Sequence, residues 1–243
     1  YCMNKKNQKR LLKDVVEIIK NPLTDNGIYY KHNPENMMQG FALIIGPSDT
    51  LYNYGNYLFE FNFPNEYPFK PPKVIYGTNE NNVRFHPNLY RNGKVCLSLL
   101  NSWRGEQWTS CQTISTVLLN LVTLFHNKPL LNEPGIKEDY KYFKKYNQII
   151  KFANYKTGVL SVLQNKICKH VAKKFKNEIY ENYYKNKSDI LSKLRELSEH
   201  EKKENIQVGI YSNMRCFVDY KELYEEILKF NISHEKNGAT EKK

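Results

Sequence analysis

Cys96 stands eight residues beyond Asn88 of a His86-Pro87-Asn88 triplet, with Trp103 and Trp108 following it. These residues share a stretch, Thr78 to Trp108, of more than thirty residues with little regular pattern. A compact domain rarely keeps so long an irregular segment unless it has a task. A cysteine thiol is nucleophilic enough to act with only a few per cent thiolate at neutral pH, so no neighbouring base is required. On residue types alone His86 could serve Cys96 as a protease-like general base, but no third group that would orient the imidazole is evident. The other cysteines, Cys2, Cys111, Cys168 and Cys216, show no two-residue spacing of a zinc or redox pair, and no histidine cluster completes a metal site. We expect no metal, no disulfide, a reducing intracellular compartment (cytoplasm or nucleus), and inert core positions for Cys111, Cys168 and Cys216.

The flanking elements read from periodicity. Leu11, Leu12, Val15, Val16, Ile18 and Ile19 predict one apolar helix face, with Lys9, Arg10, Lys13 and Lys20 outside and Asn21-Pro22 as the stop. Phe41–Ile45 predicts a strand ending at Gly46-Pro47-Ser48-Asp49. Tyr57, Phe59, Phe61 and Phe63 alternate with Leu58, Glu60 and Asn62, which places the aromatics on one strand face. Val74-Ile75-Tyr76 is a third strand, after Pro68, Pro71 and Pro72, and short connections point to an antiparallel meander. From Thr109 the period becomes helical, with Thr109 and Gln112 as a capping box. Asn132-Glu133-Pro134-Gly135 ends that region. Everything beyond is expected to be helical and polar: about 140–165, a helix carrying Val171, Phe175, Ile179 and Tyr183, and another carrying Tyr220, Leu223, Tyr224, Ile227 and Leu228. Lys-Glu runs such as Glu199–Glu204 read as solvated faces or mobile connectors, and the last dozen residues as disordered. The fold class is therefore α+β, one domain over 1–165 and a helical extension over 166–243. The extension holds too few apolar residues for a core of its own, so it should dock on the preceding domain.

Tyr67-Pro68-Phe69-Lys70-Pro71-Pro72-Lys73-Val74, His86-Pro87-Asn88, Gly93-Lys94-Val95-Cys96-Leu97 and Trp108, in this order and spacing, resemble the active-site block of the ubiquitin-conjugating enzymes. Asn88–Ser98, Asn132-Glu133-Pro134-Gly135, the extra Arg104–Gln107 and the long tail are similar to the Z-type branch. The resemblance implies that Cys96 holds ubiquitin's C-terminal carboxyl as a thioester before passing it to a lysine amine of a substrate protein. That task calls for an exposed thiol, which the polar loop beyond Gly93 could supply. The resemblance also implies that Asn88 supplies an amide to the developing oxyanion or orders the loop. His86 becomes a structural partner of that loop, and Trp103 and Trp108 pack it. Glu133 falls where family members place an acidic residue beside the entering lysine, whose free pKa is about 10.4. Lys9, Arg10 and Lys13 match the surface that meets the activating enzyme, and Phe69 matches a ligase-contact loop. Thr109-Ser110-Cys111 replaces the family's frequent Ser-Pro-Ala ligase loop, Ser98 replaces a common aspartate, and Phe85 a common tyrosine. The implied partners are ubiquitin or a ubiquitin-like modifier, the activating enzyme, a ligase and substrate lysines. No cofactor is implied, since the activating enzyme uses the ATP.

The net charge of +12 raises the question of nucleic acid. The excess is lysine scattered among asparagine, tyrosine and isoleucine, while arginine, the better reader of bases and phosphates, is scarce. We expect no nucleic-acid partner. No apolar run approaches the roughly 20 residues that span a bilayer, and lysines interrupt any signal-like core near the start, so no membrane partner is expected either. The chain begins at Tyr1 rather than methionine, which suggests residues upstream. Three rivals remain open: a carrier for another ubiquitin-like modifier, a non-catalytic ubiquitin-binding module of the same fold, against which Cys96 itself counts, and a basic scaffold.

Overall fold

The computed structural model describes residues 3–80 and 82–240. Cys2 and residues 241–243 lie outside the described residues. Helix α1 (Lys5–Lys20) starts where the Asn4 side chain accepts the Asn7 N–H at 2.8 Å and ends at Asn21 before Pro22. Leu11, Val15 and Ile18, one turn apart, are buried, whereas Leu12, Val16 and Ile19 are exposed. The buried stripe is narrower than the apolar run because Asn7 and Asp14 take the remaining inward positions. Asp14 does so because Tyr67 Oη donates to it at 2.5 Å and Arg10 pairs with it at 3.0 Å.

Four antiparallel strands follow in sequential order: β1 (Ile28–His32), β2 (Gln39–Ile45), β3 (Asn56–Asn62) and β4 (Lys73–Tyr76). The meander agrees with expectation. β1 is an addition, since Tyr29-Tyr30-Lys31-His32 lacks an apolar–polar alternation. The register pairs Ala42 with Phe59 and Phe59 with Tyr76, so Tyr57, Phe59, Phe61 and Tyr76 share the inner face. There Tyr57 stacks on Phe125 with ring centroids 4.3 Å apart, and Tyr52 meets Phe125 edge-on at 5.1 Å. Helix α2 (Ile114–Val122) is capped four residues later than expected. Thr113 caps it through a box with Thr116, while Gln112 only closes a local turn onto the Thr109 N–H.

Helix α3 (Phe143–Ala153) continues as a wider π-helical segment through Ser161. The C-terminal region is helical, with α4 (Lys169–Ala172), α5 (Lys176–His200) and α6 (Tyr220–Thr240). α6 carries ordered main chain through Thr240, into the stretch expected to be disordered. Between α5 and α6 lies an unanticipated hairpin, β5 (Glu204–Gln207) and β6 (Arg215–Val218). Among the described residues no helix is long and apolar enough to cross a membrane.

The extension shares the core of the preceding region. Phe41, Leu43 and Leu58 on the outer sheet face are buried, and His170 and Lys174 of the extension meet Phe41 there. The His170 ring meets Phe41 edge-on, Lys31 pairs with Glu178 at 2.6 Å, and Asn182 Nδ2 donates to the Tyr54 carbonyl at 3.1 Å. Phe175 is fully buried beneath the Lys31 ammonium. Phe175→Ala is therefore expected to destabilise the whole chain by about 3–5 kcal/mol, the usual cost of removing a buried phenyl group. Chemical denaturation of the intact protein checks it; a loss under about 1 kcal/mol would mean that the extension does not support the sheet.

Candidate active site

Three anchors fix the segment before the cysteine. Tyr52 Oη donates to the Phe85 carbonyl at 2.7 Å, Tyr146 Oη donates to the Arg84 carbonyl at 2.8 Å, and the Arg84 guanidinium donates to the Pro87 carbonyl. Gly93, at a φ of +85°, turns the chain back so that its carbonyl accepts the Tyr76 N–H at 2.8 Å, which ties the loop to β4. The two halves of the site then meet directly. The Cys96 N–H donates to the Asn88 carbonyl at 2.8 Å, and Asn88 Nδ2 donates to the Cys96 carbonyl at 2.6 Å. Asn88 thus bonds the main chain of Cys96, a loop-ordering contact, and its amide keeps a second N–H.

Cys96 itself is 1% exposed, against the expectation of an open thiol. Its neighbours explain this. Val95 and Leu97 are both core residues, and Ser102 Oγ accepts the Leu97 N–H at 3.0 Å, folding the following loop back. Gly105, in the extra Arg104–Gln107 stretch, packs against the Ser98 side chain. At this exposure a carbonyl carbon reaches Sγ only after the surroundings of Cys96 open. Of the two tryptophans, Trp108 packs as expected, its indole N–H donating to the Pro68 carbonyl at 2.6 Å, whereas Trp103 is exposed. Cys111 is exposed rather than a core residue; Cys168 and Cys216 are half-buried, and burial pushes both thiols up to about 11. Among the described residues no group of three or more His, Cys, Asp or Glu side chains could hold a metal ion.

His86 is fully buried and accepts the Asn88 N–H on Nδ1 at 3.0 Å, the contact of a neutral ring that orders the loop. Among the described residues its Nε2 and Asn88 Oδ1 are buried without a hydrogen-bond partner. Burial, then the nearby His126 and Arg84, holds the imidazole well below the ordinary histidine range. Because the folded value is depressed, the unfolded chain binds the extra proton first. The contribution is complete above about pH 6.5 and is lost as pH falls below it, by up to about 1.4 kcal/mol per unit for one group. Urea unfolding at pH 7.5 and 5.5 should show this loss, and His86→Gln should reduce it. His32, which burial also lowers, supplies the remainder. Equal pH slopes in the two proteins would mean that His86 is not the titrating group.

The outlying residues divide. Lys9 and Lys13 are exposed on α1, and Phe69 is 65% exposed. Arg10 is not free: besides Asp14 it donates to the Ser110 carbonyl at 2.5 Å and the Gln112 carbonyl at 2.8 Å, clamping α1 to the loop before α2. Glu133, half-buried after a 3₁₀ turn (Pro129–Asn132), accepts the Tyr211 phenol on Oε2 at 2.6 Å. The sequence reading missed Arg84, Arg91 and Tyr211; nothing local marks Arg91 or Glu133 as partners of Tyr211, 120 and 78 positions away, or brings the Tyr211 ring to Arg84.

The sequence model of the family described as ubiquitin-conjugating enzyme matches residues 10–156. Ubiquitin-conjugating enzyme E2 Z of Danio rerio is 40% identical over 65% of this chain and 48% of its own length. The protein of the same name from Xenopus tropicalis is 37% identical over 72% and 56%, and the one from Homo sapiens 39% over 65% and 45%. The chain spans about half the length of the curated relatives it matches.

Proposed function

Because the chain belongs to the ubiquitin-conjugating enzyme family, on its Z-type branch, we propose that it carries ubiquitin as a thioester on Cys96 and passes it to lysine amines of substrate proteins. The observation that supports this reading most directly is the mutual bonding of Asn88 and Cys96, side-chain amide to carbonyl at 2.6 Å and main chain to main chain at 2.8 Å. Charging is a thiol exchange: Cys96 Sγ attacks the carbonyl carbon of ubiquitin held on the activating enzyme's cysteine, and that cysteine leaves as thiolate. In discharge the lysine nitrogen attacks the same carbon, a C–N bond forms, the C–S bond breaks and Cys96 leaves. Charge gathers on the carbonyl oxygen, where the spare Asn88 N–H can stabilise it. Glu133 orients the amine and takes its proton.

Neither step needs a cofactor on this chain, since ATP is spent at the activating enzyme, and a free thiol suits a reducing intracellular compartment. Lys9 and Lys13 serve the approach of the activating enzyme, where exposed charges steer association more than they add affinity. Phe69 offers a ligase contact. The test is a charging assay: the purified chain, activating enzyme, ATP and a panel of modifiers, resolved on non-reducing gels. A reductant-sensitive adduct with ubiquitin is expected. An adduct only with another ubiquitin-like modifier would replace ubiquitin as the cargo, and no adduct with any of them would sink the proposal.

A further inference from the structure

Tyr211 reaches the catalytic segment from the turn of the β5–β6 hairpin, in the region least like a minimal conjugating enzyme. Its phenol donates to Glu133 Oε2 at 2.6 Å. Its carbonyl accepts from Arg91 Nη2 at 2.8 Å. Its ring lies 4.2 Å from the Arg84 guanidinium, which also lies 3.7 Å from the Tyr90 ring. Arg84 in turn donates to the carbonyl of Pro87, the residue before Asn88. One side chain of the extension thus touches the candidate base directly and the Asn88 loop through one intermediary.

The hairpin is built to hold it there. Val208 and Met214 are buried, the Val208 N–H donates to the Met214 carbonyl at 3.0 Å, and the Arg84 N–H meets the Met214 sulfur at 3.2 Å. Tyr211, Ser212 and Asn213 all adopt left-handed backbone, with φ of 53°, 59° and 54°. Positive φ at a bulky residue is disfavoured and persists where the surroundings over-determine it, often at a functional site. Burial, with Tyr146 and Glu133 beside it, raises the phenol's proton affinity, so Tyr211 stays a donor.

We infer that Tyr211 is a positioning residue for lysine attack, holding the Glu133 carboxylate by one oxygen so that the other faces the entering amine. This rests on the proposed role of Glu133. A carboxylate on a half-exposed turn otherwise samples several rotamers, and a fixed hydrogen bond selects one.

The test uses the full chain. Tyr211→Phe removes one O–H and keeps the ring on Arg84. It should charge at the wild-type rate yet discharge to free lysine about three- to tenfold more slowly, the factor that one net hydrogen bond corresponds to. Glu133→Gln should also discharge slowly, and adding Tyr211→Phe to it should change nothing further, because the phenol acts only through the carboxylate. A merely structural role would instead slow charging and discharge alike, or multiply the two losses, and either result overturns the inference. Faster discharge in Tyr211→Phe would overturn it too, by making the phenol a restraint. If Glu133→Gln discharges normally, the reading of Glu133 itself fails. If Glu133→Gln is slow and Tyr211→Phe is not, the inference about Tyr211 fails alone.

Discussion

Cys96→Ala is expected to leave no ubiquitin adduct at all, and Cys96→Ser to leave one that survives reductant. A serine ester has no sulfur at the acyl carbon, so thiol reagents do not cleave it as they cleave the thioester. The effect is all or none because the thiol supplies the bond rather than a fraction of the barrier. The other described cysteines make the result specific. Cys168 and Cys216 are pushed up to about 11 by burial and offer little thiolate at neutral pH, which leaves exposed Cys111 as the rival. A reducible adduct persisting in Cys96→Ala would move the nucleophile, with Cys111 next to be replaced.

Asn88→Ala is expected to charge but to discharge to free lysine on the order of 10²–10³-fold more slowly, the usual cost of removing one oxyanion donor. The geometry sharpens the alternative. Asn88 Nδ2 already donates to the Cys96 carbonyl at 2.6 Å, so the substitution also removes a tie between the two halves of the site. Loss of that tie alone would disturb Cys96 in both steps. Single-turnover rates for charging and for discharge separate the cases: a loss confined to discharge supports the oxyanion role, whereas equal losses would reduce Asn88 to a loop brace.

How much of this was legible beforehand follows from the range of each interaction. The strand aromatics Tyr57, Phe59 and Phe61, the buried stripe Leu11–Val15–Ile18 and the Asn21-Pro22 stop are local patterns, and the structure keeps them. The nearness of Asn88 to Cys96 is nearly local too, since Gly93 between them makes the required turn. The resemblance could therefore single out two residues that the structure brings together. The misreadings lie where distant chain decides the outcome. Leu12, Val16 and Ile19 match their buried neighbours in type, and distant partners such as Tyr67 on Asp14 and the Asn65 carbonyl on Asn7 hold the other side of α1 inward. Arg10 reads as a free surface cation until the carbonyls of Ser110 and Gln112 take it.

The sequence by itself carried the family resemblance, through the motifs around His86, Asn88 and Cys96, and the antiparallel meander, through short strands joined by short connections. The tertiary structure decided whether the thiol is open, what restrains Glu133 and where the extension lies. Those answers depend on how the loop of Ser102 folds back on Leu97, and on Tyr211 and Phe175 meeting segments that the sequence alone does not place beside them. Tyr211-Ser212-Asn213 carries no glycine or proline to announce its left-handed turn. Side-chain type and period report the few residues around a position; burial and hydrogen-bond partners follow only from how the packed chain closes on itself.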